Sequence, residues 1–364
     1  MPSFNQIQPA SCPTHISLST LPPSKALLQV SYSGSNLLHC CDLCGLLQPP
    51  LRHRRWRRGF PTEELGTDYF VFTPSGGKSY MDKLVAIVNG KSQNRITILP
   101  GADVSLRGWN KWKRGKAMTI QLAPYASYLL RGRTTFTGTR IQSQKPVAVL
   151  AGHQCLSMGQ LCEHVYEQLP PVHSLGKDYM VPKTGSKKTK NQAVIVAVED
   201  NTELTLKLAK AGDVILQKLI YKSPLVVKSN KKVMVLLLSD NRPHDPFLIT
   251  LIPTCKLSTD WAVETVGGLL NTVSILSEKE GAASVKVCWS GRCISPRWSS
   301  LLTDKHWVWS NVDVGHQQSH VRVEGDALMA VYAYGGKHRH SYGIAGVCSE
   351  GVTPPHLHRT LVKR

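Results

Sequence analysis

Long apolar segments are missing from this chain of 364 residues. Even the wholly apolar run at residues 233–238 is far shorter than the roughly 18 residues that a membrane-spanning helix needs. The sequence therefore predicts no membrane span. A chain of this length has room for two or three domains, each large enough to bury a core without help from a metal or cofactor.

The motifs of common catalytic sites are also missing. The sequence contains no Gly-x-Ser-x-Gly, no His-Glu-x-x-His, no dinucleotide glycine fingerprint and no complete nucleotide loop. Asp68, Asp178 and Asp260 recur at matching positions, which favours a turn or capping hydrogen bond over a unique catalytic acid. We therefore predict that the protein is not an enzyme and has no cofactor, and we keep an unrecognised hydrolase as the alternative.

No secretory signal is visible at the start of the sequence. Such a signal needs an apolar core of roughly 7 to 15 residues, whereas residues 26–30 offer only a fragment of one. Residues 1–62 carry no strand or helix pattern, so we expect a disordered segment there. Because the later cysteines favour an oxidising compartment, we expect the true N-terminus to be incomplete here or replaced by a mis-spliced segment.

This N-terminal segment holds two local motifs. The basic cluster at residues 52–58 is typical of a solvated linker, with a nuclear-localisation or nucleic-acid patch as the alternative. Cys41 and Cys44 form a CxxC pair, but no second pair accompanies it to complete a zinc site. Neither motif therefore assigns a function.

The charge is strongly unbalanced, with 44 basic and 24 acidic residues and a net charge of +20. The excess is spread along the chain. Such a surface favours polyanions of any kind, including nucleic acid, sulfated or sialylated glycans and acidic proteins. Charge alone does not choose among them.

A seven-residue pattern occurs three times, at residues 65–71, 175–181 and 257–263. In each copy, a Gly or Ser gives the backbone freedom for a turn, and an aromatic residue then begins a run with β propensity. An apolar run, a polar turn and an alternating strand follow each copy. Self-similarity on this scale indicates three related units.

Turn signals at short intervals separate the predicted strands, which is typical of all-β folds. We predict three tandem β-rich repeats after the disordered N-terminal segment. The repeats are expected to be sandwich-like modules or, as the alternative, blades of a propeller. The expected boundaries are 1–62 for the N-terminal segment, 63–160, 161–256 and 257–350 for the modules, and 351–364 for a basic tail.

Two stretches are candidates for contacts with a polyanion. One interleaves aromatic and basic residues, a pattern that binds glycans or single strands by stacking and charge. The other is a lysine-rich hairpin tip in the second module. The candidate residues are Trp109, Lys111, Trp112, Lys113, Arg114, Lys187, Lys188 and Lys190. The alternatives are a loop that covers an edge strand and a tip whose lysines serve solubility.

Six cysteines lie in the repeats, an even number that favours disulfides and an oxidising compartment. The expected pairs are Cys155 with Cys162, Cys288 with Cys293, and Cys255 with Cys348. The first two pairs are close in sequence, and the third brackets the last module. Fifteen pairings are combinatorially open for six cysteines.

A zinc site is the alternative at the first pair. His153, Cys155, Cys162 and His164 form a Cys₂His₂ set that suits tetrahedral zinc. The spacing is His-x-Cys followed by Cys-x-His, which departs from the usual gaps. We therefore favour the disulfide.

Several ordered motifs resemble those of a known family. They are Gly-His-Gln-Cys at 152–155, Cys-Glu-His at 162–164, Glu-Gln-Leu-Pro-Pro-Val at 167–172, Leu-Gly at 175–176 and Tyr-Gly-Ile-Ala-Gly-Val-Cys at 342–348. Over residues 64–350 the chain resembles the N-terminal domain of the IgGFc-binding protein family, whose members are large, secreted and mucin-associated. The first 62 residues match nothing in that family. The trypsin-inhibitor-like and von Willebrand type D cysteine arrays of full-length members are not present.

The resemblance implies a secreted, non-enzymatic binding or interaction module. Its implied partners are immunoglobulin Fc or mucus components such as mucin, with anionic glycans as further candidates. The alternative is a basic intracellular protein that binds nucleic acid or another polyanion through residues 52–58 and the lysine tip. Nucleic acid is the less favoured partner, because disulfides intact in the mature protein would exclude a cytosolic location.

Overall fold

The computed structural model of the protein describes residues 60, 62–76, 81–107, 111–157, 162–185, 189–204, 207–219, 223–240, 245–301, 304–337 and 340–348. The predictions about the N-terminal segment, its cysteines, its basic cluster and the basic tail lie outside these residues. Within the described ranges, no helix has the length and apolar character to cross a membrane.

The strands of the described residues form three sheets. The first contains β1 (Gly66–Phe70), β2 (Lys83–Asn89), β3 (Asn94–Leu99), β4 (Met118–Leu122), β5 (Ser127–Gly132), β6 (Arg140–Ser157) and β7 (Cys162–Gln168). The second contains β8 (Gly176–Val181), β9 (Lys190–Ala197), β10 (Thr202–Leu204), β11 (Lys207–Ala209), β12 (Val214–Lys218), β13 (Leu225–Asp240) and β14 (Phe247–Thr250).

The third sheet contains β15 (Ser258–Glu264), β16 (Leu270–Glu278), β17 (Lys286–Trp289), β18 (Arg292–Ile294), β19 (Ser299–Ser300), β20 (Trp307–Gly315), β21 (His320–Lys337), β22 (His340–Ala345) and β23 (Val347–Cys348). Short 3₁₀ turns occur at Thr62–Glu64, Val172–Ser174, Thr254–Lys256 and Ala282–Ser284. The first three of these turns each precede the opening strand of a sheet.

The three sheets share one strand order. The first runs β4-β3-β6-β2-β5, the second β11-β10-β13-β9-β12, and the third β18-β17-β21-β16-β20, which β19 extends. In each sheet the opening strand and a late strand also pair with the long strand β6, β13 or β21. The predicted all-β fold of three tandem repeats is therefore confirmed. We call these units modules one, two and three.

Each sheet is curled, because its long strand serves two halves. In module one, β3 and most of β1 pair with residues 140–143 of β6, Gly66 of β1 pairs with Val147, and β2 pairs with residues 147–153. Tyr69 and Ile141 from one half then share a core with Ile87 and Val149 from the other, all four being fully buried. This arrangement supports sandwich-like modules over four-stranded propeller blades.

The aromatic residue of the repeated sequence pattern locks each opening strand onto the long strand. The Tyr69 hydroxyl donates to the carbonyl of Val147 at 2.5 Å, and the Tyr179 hydroxyl donates to the carbonyl of Val233 at 2.7 Å. In module three the Trp261 indole N–H donates to the carbonyl of Met329 at 2.7 Å. Three copies of the pattern therefore perform one structural task.

The modules also end alike. The backbone N–H of Leu169 donates to the carbonyl of Val149, and the N–H of Leu251 donates to the carbonyl of Val235, at 2.8 and 3.0 Å. Gly346 makes the equivalent bond in module three. The first sheet therefore includes β7 and extends past residue 160, where the sequence analysis placed a boundary.

The side chains on the outside of the two central strands form what we call the rear face of a module. In module two this face contains Val194, Val196, Met234, Leu236 and Leu238, all at most 5% exposed. They belong to the same core cluster as the interior of module one. Module one therefore packs on the rear face of module two.

Two glycines allow the backbones of these modules to approach each other. A Cβ atom added to Gly138 would lie 2.6 Å from the carbonyl oxygen of Gly212, which is too close for any side chain. Both glycines have positive φ angles, 81° and 90°, that other residues adopt with strain. The junction of modules one and two therefore depends on glycine at both positions.

Module two packs on the rear face of module three in the same way. The Tyr332 hydroxyl, on that face, accepts the backbone N–H of Ile252 at 2.9 Å. The Asn311 amide group donates to the Tyr334 hydroxyl at 3.1 Å and to the carbonyl of Lys183 at 3.4 Å. The chain thus stacks its modules in sequence order.

Candidate interaction surfaces

A basic stretch at residues 111–116 lies on module one between β3 and β4. Trp112 anchors it, because its side chain is only 9% exposed and its indole N–H donates to the carbonyl of Lys116 at 2.8 Å. The backbones of Trp112 and Val104 exchange two hydrogen bonds of 2.8 Å. Gly115, with a φ of 72°, then makes the turn. These contacts tie residues 112–116 to residues 100–104 of the same module.

Four exposed basic side chains lie on this loop: Lys111, Lys113, Arg114 and Lys116. Asp103 organises them, since it accepts the Arg114 backbone N–H and the Lys113 ammonium group, both at 2.9 Å. The N–H of Arg114, followed by Lys113, holds the pKa of the Asp103 carboxyl below its usual value. The loop therefore presents a net positive, pre-ordered surface.

The residues predicted to contact a polyanion differ in their exposure to solvent. Lys111, Lys113 and Arg114 are exposed as expected. Trp112 is a buried anchor, so the prediction that it stacks on a ligand is wrong. Lys190 is exposed at the start of β9 in module two. Trp109, Lys187 and Lys188 lie outside the described residues.

The sequence analysis missed Lys116 and Asp103. The signal for Lys116 was available, since it follows Gly115 directly and extends the basic run. The role of Asp103 depends on a contact across 11 residues. No local sequence pattern predicts that contact.

Cys288 and Cys293 form the predicted disulfide, with their Cα atoms 4.1 Å apart. They lie directly opposite each other in the hairpin of β17 and β18. Ser290 and Gly291 make the turn with positive φ angles of 48° and 77°. The Arg292 guanidinium lies 4.3 Å from the centre of the Trp289 ring, a cation–π contact that shields one side of the hairpin.

Cys155 also takes part in a disulfide. The backbone of Cys162 pairs with that of Ser157, two residues from Cys155. The side chain of Cys162 lies outside the description, so its bridge to Cys155 stays a prediction. A sulfur engaged in a disulfide offers no thiolate, which argues against the zinc alternative at this position. Among the described residues, no group of three or more His, Cys, Asp and Glu side chains is placed to hold a metal.

The predicted bridge between Cys255 and Cys348 is not formed, since both are free thiols. Each lies beside the opening residue of a different module. Cys255 approaches Gly176 of module two, where its sulfur would lie 3.2 Å from an added Cβ. The Cys348 sulfur lies 3.1 Å from the Ser258 hydroxyl of module three. The two cysteines thus belong to successive repeat junctions rather than to one site.

His153 is fully buried in module one, and its Nδ1 accepts the backbone N–H of Cys155 at 2.9 Å. Burial, with a smaller contribution from the Lys83 charge, lowers the pKa of His153 to about 4. Nearby Asp82, also buried, binds Arg107 and Arg131 at 3.1 Å each. His153 is therefore neutral at physiological pH and acts as a structural group beside an ion-pair cluster.

Two of the three recurring aspartates form ion pairs at the surface. Asp68 binds the Arg140 guanidinium through two contacts of 2.9 and 2.7 Å, and Asp260 binds Arg322 through contacts of 3.2 and 2.6 Å. For Asp68 and Asp260 the structure therefore shows an ion pair, rather than the turn or capping hydrogen bond that the sequence analysis favoured.

Residues 59–335 match the family model described as IgGFc binding protein. The chain belongs to the IgGFc-binding protein family. The resemblance found in the sequence is thereby confirmed. This is a family of binding proteins rather than of enzymes.

One relative in the IgGFc-binding protein family is the IgGFc-binding protein of Homo sapiens, which is 24% identical over 310 residues. The alignment covers 81% of this chain but 6% of the relative. The chain therefore spans only a small part of that protein. Among solved structures, an anti-sigma factor domain-containing protein matches 75% of this chain and 79% of its own, with 10% identity and a TM-score of 0.15. That likeness carries no argument about the fold.

A cavity of about 210 Å³ lies where the three modules of this IgGFc-binding family member meet. Module one contributes Phe60 and Glu64, module two Tyr179, and module three Trp261 and Cys348. The Tyr179 and Trp261 polar groups are engaged by backbone carbonyls, as described above. The cavity walls thus depend on the register of all three modules.

Proposed function

We propose that this chain is a non-enzymatic, extracellular binding module whose partner is immunoglobulin Fc or a mucus component such as mucin. The observation that carries the proposal is the family match over residues 59–335. The disulfide between Cys288 and Cys293 supports an oxidising, extracytoplasmic location.

The basic loop of module one is the proposed contact surface. A partner that docks on a pre-ordered loop does not have to fix it during binding, which improves affinity. Lys111, Arg114 and Lys116 are exposed, and Trp112 holds their backbone in place. An acidic patch on a protein or an anionic glycan has the complementary charge.

Polyanion binding without a specific partner is the second candidate. The same exposed basic side chains and the net charge of +20 favour it. It differs from the first candidate in its salt dependence, because binding by charge alone weakens steeply as the Debye length falls.

The test uses the full chain, secreted from animal cells behind a borrowed signal peptide. Binding to IgG Fc, to mucin glycans and to double-stranded DNA is measured at low and at high salt. Salt-resistant binding to Fc or mucin supports the first candidate. Equal binding to every anion that disappears at high salt supports the second.

A matched pair of variants locates the contact surface. The first variant reverses the charge of the loop but keeps the ion pair of Lys113 with Asp103. It combines Lys111→Glu, Arg114→Glu and Lys116→Glu in one chain. The control variant makes the same charge change at three exposed positions of module two. It combines Lys177→Glu, Lys210→Glu and Lys218→Glu. We expect at least a tenfold loss of affinity for the first variant only. Equal losses in both would contradict the loop assignment.

A further inference from the structure

The rear face of module one is apolar and incompletely covered. Leu84 and Ala86 are buried, but Leu129 and Leu150, which pack on them, are only half-buried. Val88 and Ala148 on the same face are half-buried as well. The first four of these side chains form a small cluster that is separate from the two large cores of the molecule.

The equivalent positions of module two are fully covered. Leu150 pairs with Ala86 in module one just as Leu236 pairs with Val194 in module two. Leu236 and Val194 are both 0% exposed, because module one packs on them. In modules two and three, the rear face is covered by the polypeptide that immediately precedes the module in sequence.

The chain enters module one beside this same face. The backbone N–H of Phe60 donates to the side-chain carbonyl of Gln168 at 3.1 Å. Gln168 lies directly opposite Leu150 in the pairing of β6 and β7, so their side chains point to the same side of the sheet. The polypeptide before residue 60 therefore starts at the rim of the rear face.

A second copy stacked head to tail is a poorer occupant. In module one, Phe70 and Phe72 lie in the core shared with module two. By the register of the opening strands, module three has Ala262 and Glu264 at those positions, and Glu264 binds His320 at 2.7 Å. Polar outer surfaces of this kind are typical of terminal repeats.

We propose that residues 37–51 of the same chain cover the rear face of module one. This stretch carries six leucines: Leu37, Leu38, Leu43, Leu46, Leu47 and Leu51. Residues 52–59 connect it to Phe60 and can span roughly 27 Å when extended, which is enough to cross the face. In this proposal the segment covers the rear face of module one in the way that module one covers the rear face of module two.

Photo-crosslinking of the full chain tests this proposal. p-Benzoylphenylalanine replaces Leu150 on the rear face or, as a control, the exposed Leu216 of module two. The chain is prepared as a mixture of ¹⁴N and ¹⁵N protein, so that peptide masses separate intramolecular from intermolecular adducts. We expect an intramolecular adduct between position 150 and residues 37–51, and none with those residues from position 216.

Two full-chain variants make the test specific. The first variant should reduce the yield of the adduct from position 150 at least tenfold. It combines Leu43→Glu, Leu46→Glu and Leu47→Glu. The matched set Leu18→Glu, Leu21→Glu and Leu27→Glu should leave that yield unchanged. Thermal unfolding of both variants verifies that the modules remain folded. Intermolecular adducts at position 150, or intramolecular adducts that avoid residues 37–51, would overturn the proposal.

Discussion

The rear faces of modules one and two occupy equivalent places in the same strand order but differ in burial. Leu236 is 0% exposed, whereas Leu150 is half-buried. The difference arises from the neighbour, since module one lies against module two and no described residue plays that part for module one. A repeat of this kind is therefore stabilised as much by its junction as by its own sheet.

Truncation of the two leucines gives the largest expected contrast. Leu236→Ala should lower the free energy of unfolding by roughly 4 kcal/mol, because it leaves a cavity in the core shared by two modules. Leu150→Ala should cost about 1 kcal/mol, since Leu150 is only half-buried and the space it leaves is partly open to solvent. Urea unfolding of the two variants measures the difference. Equal losses would show that the rear face of module one is as well packed as that of module two.

Acid should weaken module one more than module two. His153 has a pKa of about 4 in the folded chain and 6.5 as its ordinary value. The unfolded chain therefore binds the proton more readily, and stability is lost as the pH falls from 6.5 towards 4. The loss should be about 2 kcal/mol at pH 5 and on the order of 3 kcal/mol at pH 4.

The control for this pH effect comes from the repeat itself. The register places Ser239 of module two at the position of His153, where its hydroxyl donates to Asn191 at 2.7 Å. His153→Gln should flatten the stability profile between pH 7 and pH 5, although Asp82 and Lys83 remain. Ser239→Ala should leave the profile's shape unchanged. A steep acid loss that persists in His153→Gln would assign it to other groups.

Removal of the disulfide in module three should have a smaller effect. Cys288→Ser with Cys293→Ser should cost about 2 kcal/mol, the loop-closure value for so short a ring. The equivalent hairpin of β3 and β4 in module one contains no cysteine. Thermal unfolding with and without reductant gives the measurement. If reductant changes the melting of the double variant as much as that of the parent chain, another disulfide is responsible.

The smallest expected effect is one that both modules share. Tyr69→Phe and Tyr179→Phe each leave a buried carbonyl, of Val147 or Val233, without its donor. Each should cost about 1 kcal/mol. Similar losses in urea unfolding would show that the tyrosine hydrogen bond stabilises both modules equally. The difference between the modules would then lie at their rear faces. A large loss for one alone would place the difference inside the sheet.

The opening pattern was predictable because its aromatic residue acts within its own module. Three copies at similar spacing could be found by reading the sequence, and the hydrogen bonds of Tyr69, Tyr179 and Trp261 explain why they recur. The hairpin disulfide was predictable for a similar reason, since its two cysteines are directly opposed across a short turn.

Long-range geometry accounts for the predictions that were wrong. The burial of Trp112 depends on its pairing with Val104, which no alternation in the loop reveals. The free thiols of Cys255 and Cys348 follow from the stacking of modules, which puts them at different junctions. The position of the candidate loop could be predicted, but the contacts of Trp112 and Asp103 that arrange its basic residues could not.

The common exit geometry of the modules bears on how chains of this kind change in length. Leu169, Leu251 and Gly346 each return to the long strand of their own module by the same backbone bond. Pro171, Pro253 and Cys348 each follow two residues later. A recombination event in the gene that joined any two of these points would add or delete one complete module. Neither flanking sheet would lose a hydrogen bond, so the number of modules can evolve independently of the architecture within each one.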